Sequence, residues 1–257
     1  MRRYWISRKD ISHNQITFQN ELFHHIFEVC RQEPGNRFEV ITEDAKAFLV
    51  EVKEKSKKRA IAEILEERQI APLKKPHLHL CLSIPKFSTL ESIIEKSVEL
   101  GVSSIQPLIC EFSFIKNFSE KEWQHKLDRW KKIVISATQQ SGRGDLLRIE
   151  LPNKLYDFIA KIHRNPETLC LVLYEGDAKV DVKRYLSELK TLNQFSHIEN
   201  IWIFIGSEGG FSDMEISHLM KQGLSPVTLG EQILRVETAC LATISVLKYE
   251  FDLMRGF

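Results

Sequence analysis

From residue 77 onward, apolar segments alternate with helical patterns, and this alternation constrains the fold more than any other feature of the chain. The apolar segments have the length of β-strands and include residues 77–84, 105–109, 169–174 and 201–205. Strands that are apolar on both sides must be covered on both faces, and strand–helix alternation favours parallel pairing. The sequence therefore predicts an α/β domain with a parallel sheet.

Serine–glutamate pairs mark the places where three helices of this domain should begin. In a capping box, a serine side chain accepts a hydrogen bond from the amide three residues later, and the glutamate at that position accepts one from the serine amide. The spacing occurs at Ser88–Glu91, Ser119–Glu122 and Ser212–Glu215. Each pair predicts a helix start, and further helical patterns occupy residues 154–163, 181–192 and 236–250.

The first 72 residues show a different pattern of secondary structure. Short segments rich in aromatic and β-branched residues surround one expected helix, from Asn20 to Cys30, with Asn20 as its N-cap. Residues 60–70 fit a helix or a strand equally well. Short strands around one helix predict a small β-barrel, and the proline-containing segment 71–76 reads as a linker. The predicted domains are therefore residues 1–72 and 73–257.

Composition excludes several classes of protein. A chain that is 43% hydrophobic and 28% charged is not typical of a disordered protein. Uninterrupted apolar runs such as residues 201–205 are far too short for a membrane helix, and the charged N-terminus does not resemble a signal peptide. The 5 cysteines are scattered, which favours reduced thiols in the cytoplasm over disulfides or a metal site. The sequence thus predicts a cytoplasmic protein without a membrane or metal partner.

Charge is distributed unevenly along the chain. Residues 1–75 carry 15 Lys and Arg against 12 Asp and Glu, whereas residues 151–257 carry 11 against 14. A basic N-terminal part suits a module that binds a polyanion. A charge difference of this size is equally compatible with ordinary variation in composition along a chain.

The strongest candidate for a ligand site is the glycine-rich segment 206–210. It follows the apolar strand 201–205 directly and precedes the capped helix at Ser212. Ligands of open α/β sheets bind beyond the carboxyl ends of strands, and glycines allow close approach of a ligand to the backbone. The spacing matches neither a dinucleotide fingerprint nor a P-loop, and an ordinary tight turn is the alternative.

Two other strand ends carry polar groups. Glu175 and Gly176 follow one apolar strand, and Gly230 follows another, shortly before Arg235 and Glu237. A carboxylate at a helix start is favoured by the helix dipole, but a cation there is not, unless it faces a ligand or a carboxylate. The three strand ends are expected to converge on one pocket.

These segments resemble the RsmE methyltransferases, a family of the SPOUT class. The resemblance rests on Gly-Ser-Glu-Gly-Gly-Phe-Ser at 206–212 and Leu-Gly-Glu-Gln-Ile-Leu-Arg-Val-Glu-Thr-Ala at 229–239. Weaker similarity extends to residues 95–101, to residues 138–143 and to the N-terminal module, so that nearly the whole chain is covered in the right order.

The resemblance implies a PUA-like β-barrel followed by a SPOUT α/β domain with a deep trefoil knot. It implies methylation of N3 of a uridine in small-subunit (16S) ribosomal RNA, with S-adenosylmethionine as cofactor, in a homodimer without metal. The residues expected to bind the cofactor are Leu173, Tyr174, Glu175, Gly206, Glu208, Gly209, Gly210, Leu229, Gly230, Ile233 and Leu234. Those expected to contact RNA are Arg2, Arg3, Arg8, Arg31, Lys96 and Arg143.

Arg235 and Glu237 are the expected catalytic residues. Uridine N3–H is weakly acidic, so its methylation requires removal of that proton while the methyl donor is held in line. Arg235 would stabilise the negative charge that develops on the uracil oxygens. Glu237 would either take the proton or orient Arg235, and a carboxylate beside an arginine is a weak base, which favours orientation slightly.

The sequence departs from the family pattern at Ser207, Gln139, Gln232 and Phe112. Proline, glutamate, arginine and arginine respectively are usual near these places, so basic groups are missing near the pocket. A related SPOUT methyltransferase that acts on another RNA position is the first alternative. A non-catalytic RNA-binding protein that retains the fold is the second.

Overall fold

The computed structural model describes residues 1–117, 119–162, 165–176, 178, 180–192 and 194–254. The chain divides into two compact units. One comprises Met1–Pro72 with Val134–Leu146, and the other comprises Leu73–Ile133 with Leu147–Phe257. In the described ranges, no helix combines the length and apolarity that crossing a membrane requires.

The first unit contains a curled, mainly antiparallel sheet. Its described strands are β1 (Arg3–Trp5), β2 (Ile11–Ser12), β3 (Gln15–Gln19), β4 (Arg37–Ile41), β5 (Lys46–Lys55) and β6 (Arg59–Gln69), in the order β1-β4-β5-β6-β3-β2. β6 decides the ambiguity over residues 60–70 in favour of a strand, because it pairs with β5 on one side and β3 on the other. Phe18, Phe38 and Phe48 are fully buried and form the centre of the core.

The helix of this unit begins as α1 (Asn20–Phe23) and continues as a π-helical segment, His24–Val29. The prediction that Asn20 caps it was wrong. The helix begins at Asn20 itself, and the capping position belongs to Gln19, whose side chain makes no capping hydrogen bond. Burial of Phe23, Ile26 and Phe27 against the sheet holds the segment in place instead.

The second unit is the predicted α/β domain. Its described strands are β7 (His77–Ser83), β8 (Ser104–Ile109), β9 (Arg148–Ile149), β10 (Asn153–Lys154), β11 (Thr168–Leu173), β12 (Val180–Asp181), β13 (Asn200–Ile205) and β14 (Pro226–Thr228). They form one sheet in the order β10-β8-β7-β13-β11-β14-β12, with β9 beside β8, and each pairing among the described residues is parallel. The central strands are apolar because both of their faces are buried.

Helices connect these strands. They are α2 (Phe87–Glu99), α3 (Glu120–Ser141), α4 (Leu155–Lys161), α5 (Val182–Thr191), α6 (Asp213–Lys221) and α7 (Val236–Glu250). The capping boxes at Ser119 and Ser212 are confirmed by their hydrogen bonds with Glu122 and Glu215. The last residue of the predicted helix 154–163 lies outside the described residues.

The capping box predicted at Ser88 was wrong. α2 begins at Phe87, two residues earlier than a box at Ser88 requires, and Lys86 occupies the capping position. The carbonyl of Lys86 accepts from the amide of Leu90 in its own helix at 3.0 Å, and its backbone amide donates to Glu208 Oε1 at 3.1 Å, so the capping residue is also tied to a distant loop. That long-range contact fixes the helix start.

The segment between β14 and α7 crosses the carboxyl ends of the central strands. β14 lies beside β11, on the side away from β13, whereas α7 packs against α2 and β13. The chain must therefore pass back across β11 between residues 229 and 235. The knot that the resemblance implies would be formed by this crossing.

Candidate active site

Three loops meet where the parallel strands β11, β13 and β14 end. Because these strands are neighbours and run in the same direction, residues 173–175, 206–210 and 229–234 lie at one edge of the sheet. They surround a pocket whose empty volume, including the part open to solvent, is about 620 Å³. The pocket is lined by Leu173, Tyr174, Glu175, Ile205, Gly206, Ser207, Gly210, Phe211, Thr228, Leu229, Gly230, Glu231, Gln232, Ile233, Leu234, Val236 and Ala239.

The glycine-rich loop folds tightly against itself. The amide of Gly210 donates to the carbonyl of Ser207 at 2.9 Å, and Gly210 adopts a φ of 70°. A Cβ atom on Gly206 would lie 2.5 Å from the carbonyl carbon of Gly210. The loop therefore has no room for a side chain at position 206, and α6 begins immediately after it at the capped Ser212.

The loop after β14 is shaped by Thr228 and Gly230. Thr228 Oγ1 donates to the carbonyl of Gly230 at 2.8 Å and accepts from its amide at 3.2 Å. Gly230 has a φ of 132°, which a residue with a Cβ rarely adopts. Beyond it, the side chain of Ile233 is 80% exposed beside the pocket. Exposure of a large apolar side chain at a concave site is typical of a surface that a ligand covers.

Tyr174 and Glu175 form a third wall. The Tyr174 hydroxyl donates to Asp213 Oδ1 at 3.2 Å, so the tyrosine is held to the first turn of α6. Glu175 points its carboxylate toward the glycine-rich loop, where Oε1 lies 2.8 Å from the position that a Cβ of Gly210 would take. The absence of a side chain at Gly210 thus makes room for a carboxylate at the pocket wall.

A second pocket, with an empty volume of about 960 Å³ including the part open to solvent, lies beside the first. It is lined by Lys86, Thr89, Glu175, Ser207, Glu208, Ile233, Leu234, Arg235, Val236 and Glu237. Five of these residues, Glu175, Ser207, Ile233, Leu234 and Val236, also line the first pocket. Two adjoining pockets with a common wall suit a reaction between two bound molecules. We call the second one the reaction pocket.

Arg235 and Glu237 lie at the start of α7, in the reaction pocket. Arg235 occupies the capping position and is exposed, and Glu237 is half-buried in the first turn. Among the described residues, neither a hydrogen bond nor an ion pair joins the two side chains. The guanidinium therefore faces the pocket without a carboxylate partner from the described part of the chain, at a helix end whose dipole opposes a cation.

The cysteines near these pockets do not supply a nucleophile. Cys240, on α7, is fully buried, and burial together with the charge of Glu237 raises the pKa of its thiol. Burial, with the Glu215 carboxylate nearby, raises the pKa of Cys110 to about 12. Both thiols are therefore protonated at neutral pH, whereas nucleophilic cysteines need a lowered pKa.

The structure brings most of the predicted cofactor residues to the first pocket. Leu173, Tyr174, Glu175, Gly206, Gly210, Leu229, Gly230, Ile233 and Leu234 all line it. Glu208 lies in the reaction pocket instead, where it accepts the hydrogen bond from Lys86. Gly209 lines neither pocket, because it faces the side chain of Phe112.

Of the predicted RNA contacts, Arg2, Arg8 and Arg31 are exposed on the first unit. Arg2 donates to the carbonyl of Cys30 at 2.8 Å, and Arg8 lies near Asp44 at 3.9 Å and over the ring of Phe48. These contacts orient the side chains and leave guanidinium groups accessible to solvent.

Two other predicted contacts are less available to phosphates. Arg3 forms an ion pair with Glu39 at 2.8 Å. Burial tends to raise the pKa of Glu39, but hydrogen bonds from Arg68 and Arg3 outweigh it and lower that pKa. Lys96 bonds Glu95 and Glu99 on its own helix. The positive charges of Arg3 and Lys96 are therefore already balanced by carboxylates of the protein.

Arg143, which was also predicted to contact RNA, is buried. Its side chain is only 7% exposed, and its Nη2 donates to Asp145 Oδ2 at 2.8 Å. A buried guanidinium with a carboxylate partner has a structural role, since an unpaired charge at this depth would be costly.

Sequence reasoning missed Lys86 and Thr89, which both line the reaction pocket. Lys86 follows β7 by only a few residues, separated by Ile84 and Pro85. Ligands bind beyond the carboxyl ends of parallel strands, and the end of β7 is the sequence signal that indicates Lys86.

Comparisons with known proteins agree with this geometry. Residues 71–248 match a family described as an RNA methyltransferase domain, and residues 18–65 match an RNA methyltransferase PUA domain. Ribosomal RNA small subunit methyltransferase E of Buchnera aphidicola is 32% identical over 240 residues, which cover 92% of this chain and 91% of the relative. The Bacillus subtilis protein of that name is 29% identical over 266 residues, covering 100% and 99%.

A solved structure also resembles this one over nearly its full length. The crystal structure of ribosomal RNA small subunit methyltransferase E from Neisseria gonorrhoeae bound to S-adenosylmethionine superposes with a TM-score of 0.80. The two sequences are 26% identical, and the similarity covers 97% of each chain.

Proposed function

This chain belongs to the RNA methyltransferase family of ribosomal RNA small subunit methyltransferase E, and we propose that it transfers a methyl group from S-adenosylmethionine to N3 of a uridine in 16S ribosomal RNA. The observation that carries the proposal is the pair of adjoining pockets. One is made of backbone-rich loops at the strand ends, and the other contains Arg235 and Glu237. We place the reaction in the cytoplasm.

The first pocket fits S-adenosylmethionine. Its glycine-rich loop packs too closely at Gly206 and Gly210 to admit a Cβ, so it presents backbone to the pocket, and buried Ile205 and Phe211 supply an apolar wall. Backbone groups of the loops after β11, β13 and β14 would hold the adenosine and amino-acid parts. When bound, the cofactor supplies an electrophilic methyl group carried on a positively charged sulfur.

Arg235 and Glu237 would act on the uracil in the reaction pocket. As N3 loses its proton, negative charge spreads to the uracil oxygens. Arg235, which has no carboxylate partner among the described residues, is placed to stabilise that charge. In the described residues neither an ion pair nor a hydrogen bond ties Glu237 to Arg235, so the geometry does not support a role for Glu237 in orienting Arg235. We therefore assign proton removal to Glu237 and charge stabilisation to Arg235.

We assign residues 1–72 to RNA binding and residues 73–257 to methyl transfer. The support for the first assignment is the accessibility of Arg2, Arg8 and Arg31 and the excess of basic residues in this part of the chain. Contacts of this kind bind phosphates and position the RNA without reading its sequence.

Mass-spectrometric analysis of nucleosides from small-subunit RNA tests the proposed function. We expect 3-methyluridine to disappear when the gene is deleted, to return with the wild-type gene and to remain absent with Arg235→Ala. Loss of a different methylated nucleoside would identify another target and refute the uridine assignment. Unchanged nucleosides in the deletion strain would refute the methyltransferase proposal for this RNA.

We further propose that the protein is a homodimer whose interface includes the outer face of α7. That face carries Leu241, Ala242, Val246 and Tyr249, and Val246 and Tyr249 are 37% and 73% exposed. The opposite face of the helix is buried, so α7 is apolar nearly all round. A helix of that kind is normally covered on both sides.

Val246→Glu is expected to weaken dimerisation by about 100-fold or more, because it would bury an unpaired charge in the interface. Light scattering coupled to size exclusion, over a dilution series, measures the mass. Leu192→Glu is the matched control, since Leu192 is 64% exposed on a different surface. A Val246→Glu variant that is folded and keeps the wild-type mass at every concentration would contradict the proposed interface.

A further inference from the structure

Two exposed phenylalanines lie on the loop that follows β8. We call residues 110–114 the aromatic loop. Its Phe112 and Phe114 are 47% and 53% exposed, although large apolar side chains are normally buried. Both belong to the methyltransferase unit, and the proposed reaction does not use either of them.

The aromatic loop is held in place by hydrogen bonds on several sides. Ser207 Oγ donates to the carbonyl of Phe112 at 2.6 Å, and the amide of Phe114 donates to the carbonyl of Ile84 at 2.8 Å. The amide of Glu111 donates to Glu215 Oε1, also at 2.8 Å. Glu215 is buried and caps α6, so one carboxylate links the aromatic loop to the helix after the glycine-rich loop. The two rings are therefore presented to solvent by an anchored backbone.

Phe112 lies at the edge of the reaction pocket. Its Cβ is 2.9 Å from the position that a Cβ of Gly209 would occupy, which means that the phenylalanine rests directly on the glycine-rich loop. The two residues before Gly209, Ser207 and Glu208, line the reaction pocket. Phe112 therefore lies beside the wall of the pocket that we propose receives the uracil.

Phe114 continues the surface toward positive charge. Its ring meets that of Phe87 edge to face, with centroids 5.9 Å apart, and Lys126 Nζ lies 4.1 Å from the centre of the Phe87 ring. Lys86, in the reaction pocket, directly precedes Phe87. Exposed rings beside lysines match the chemistry of single-stranded nucleic-acid sites, in which bases stack on aromatic side chains and cations meet the phosphates.

We propose that Phe112 and Phe114 form a stacking surface for unpaired bases next to the target uridine; this inference rests on the proposed function. A base can stack on an exposed ring while its polar edge stays in water, so the surface selects unpaired RNA over a duplex. Stacking also explains how Phe112 can contribute to RNA binding near a position where the family resemblance implies an arginine. Affinity from stacking does not depend on releasing counterions, so this part of the binding resists salt.

Phe112→Leu and Phe112→Trp test the proposal, because leucine keeps an apolar side chain without a π-face and tryptophan keeps the π-face. Binding of a fluorescein-labelled oligouridylate of about 10 nucleotides is measured by anisotropy. We expect Phe112→Leu to weaken binding by about 5- to 150-fold, and Phe112→Trp to bind at least as tightly as the wild type. With small subunits from the deletion strain as substrate, the leucine variant should raise KM more than it lowers kcat.

Controls separate the possible explanations. Leu151→Ala removes a different exposed apolar side chain and should leave RNA binding unchanged. Cofactor affinity should be the same in all variants, which excludes damage to the first pocket. Equal RNA binding by wild type and Phe112→Leu would overturn the proposal, as would a change in oligomeric mass, which would make the loop a contact between copies. Failure of the wild type to methylate small subunits would refute the proposed function, whereas the oligouridylate comparison would still test the stacking surface.

Discussion

Replacing Arg235 by alanine is expected to lower the turnover number for methyl transfer by about 100- to 1,000-fold, because a positioned donor to a developing oxyanion contributes this much in other enzymes. Arg235 lines the reaction pocket but not the first pocket, so the affinity for S-adenosylmethionine should be largely unchanged. Single-turnover transfer of labelled methyl groups at saturating cofactor measures the first quantity, and calorimetry measures the second.

Three further variants sharpen this result. Arg235→Lys keeps the charge but loses the planar fork, so an intermediate rate is expected. Arg184→Ala, an exposed arginine paired with Glu188 on α5, should behave as the wild type. Glu237→Gln should also lower the turnover number while leaving cofactor affinity unchanged, because an amide cannot accept the N3 proton. Weak cofactor binding by Arg235→Ala with a normal turnover number would contradict the assignment.

Local sequence patterns were sufficient to predict which loops surround the site. Parallel strands that end in glycine, carboxylate and arginine had to meet at one edge, and the capping box at Ser212 fixed the start of α6. The same reasoning failed at Ser88, because the start of α2 depends on a hydrogen bond between residues 122 positions apart in sequence, Lys86 and Glu208. A local pattern carries no information about such a partner.

Long-range contacts also explain the other differences. Arg143 lies within a segment that resembles the family, but whether it faces RNA or a carboxylate depends on its burial, which the segment alone does not determine. Ser207 and Phe112 are separate departures from the family pattern in the sequence. In the structure they are joined by a hydrogen bond, so the two departures form one contact beside the reaction pocket. Substitutions that look independent in sequence can thus act together.

Gly206→Ala is expected to weaken binding of S-adenosylmethionine by about 10- to 100-fold, the consequence of overpacking a tight turn. The added Cβ would lie 2.5 Å from the carbonyl carbon and 2.6 Å from the Cα of Gly210. Both are backbone atoms, so the loop itself must shift rather than a flexible side chain. Because that loop forms one wall of the first pocket, the shift alters the cofactor site directly. Calorimetric titration of the purified variant with S-adenosylmethionine measures the effect.

Gly223→Ala separates loss of the pocket from general loss of stability. Gly223 has a φ of 77°, so an alanine there is strained. No atom of the described residues lies within 4 Å of its added Cβ, and it lines neither of the two pockets. We expect this variant to melt at a lower temperature and to bind the cofactor as the wild type does. If Gly206→Ala binds the cofactor normally, the glycine-rich loop is not the cofactor cradle. If both variants lose cofactor binding in proportion to their loss of stability, the strain at Gly206 acts through folding and not through the shape of the pocket.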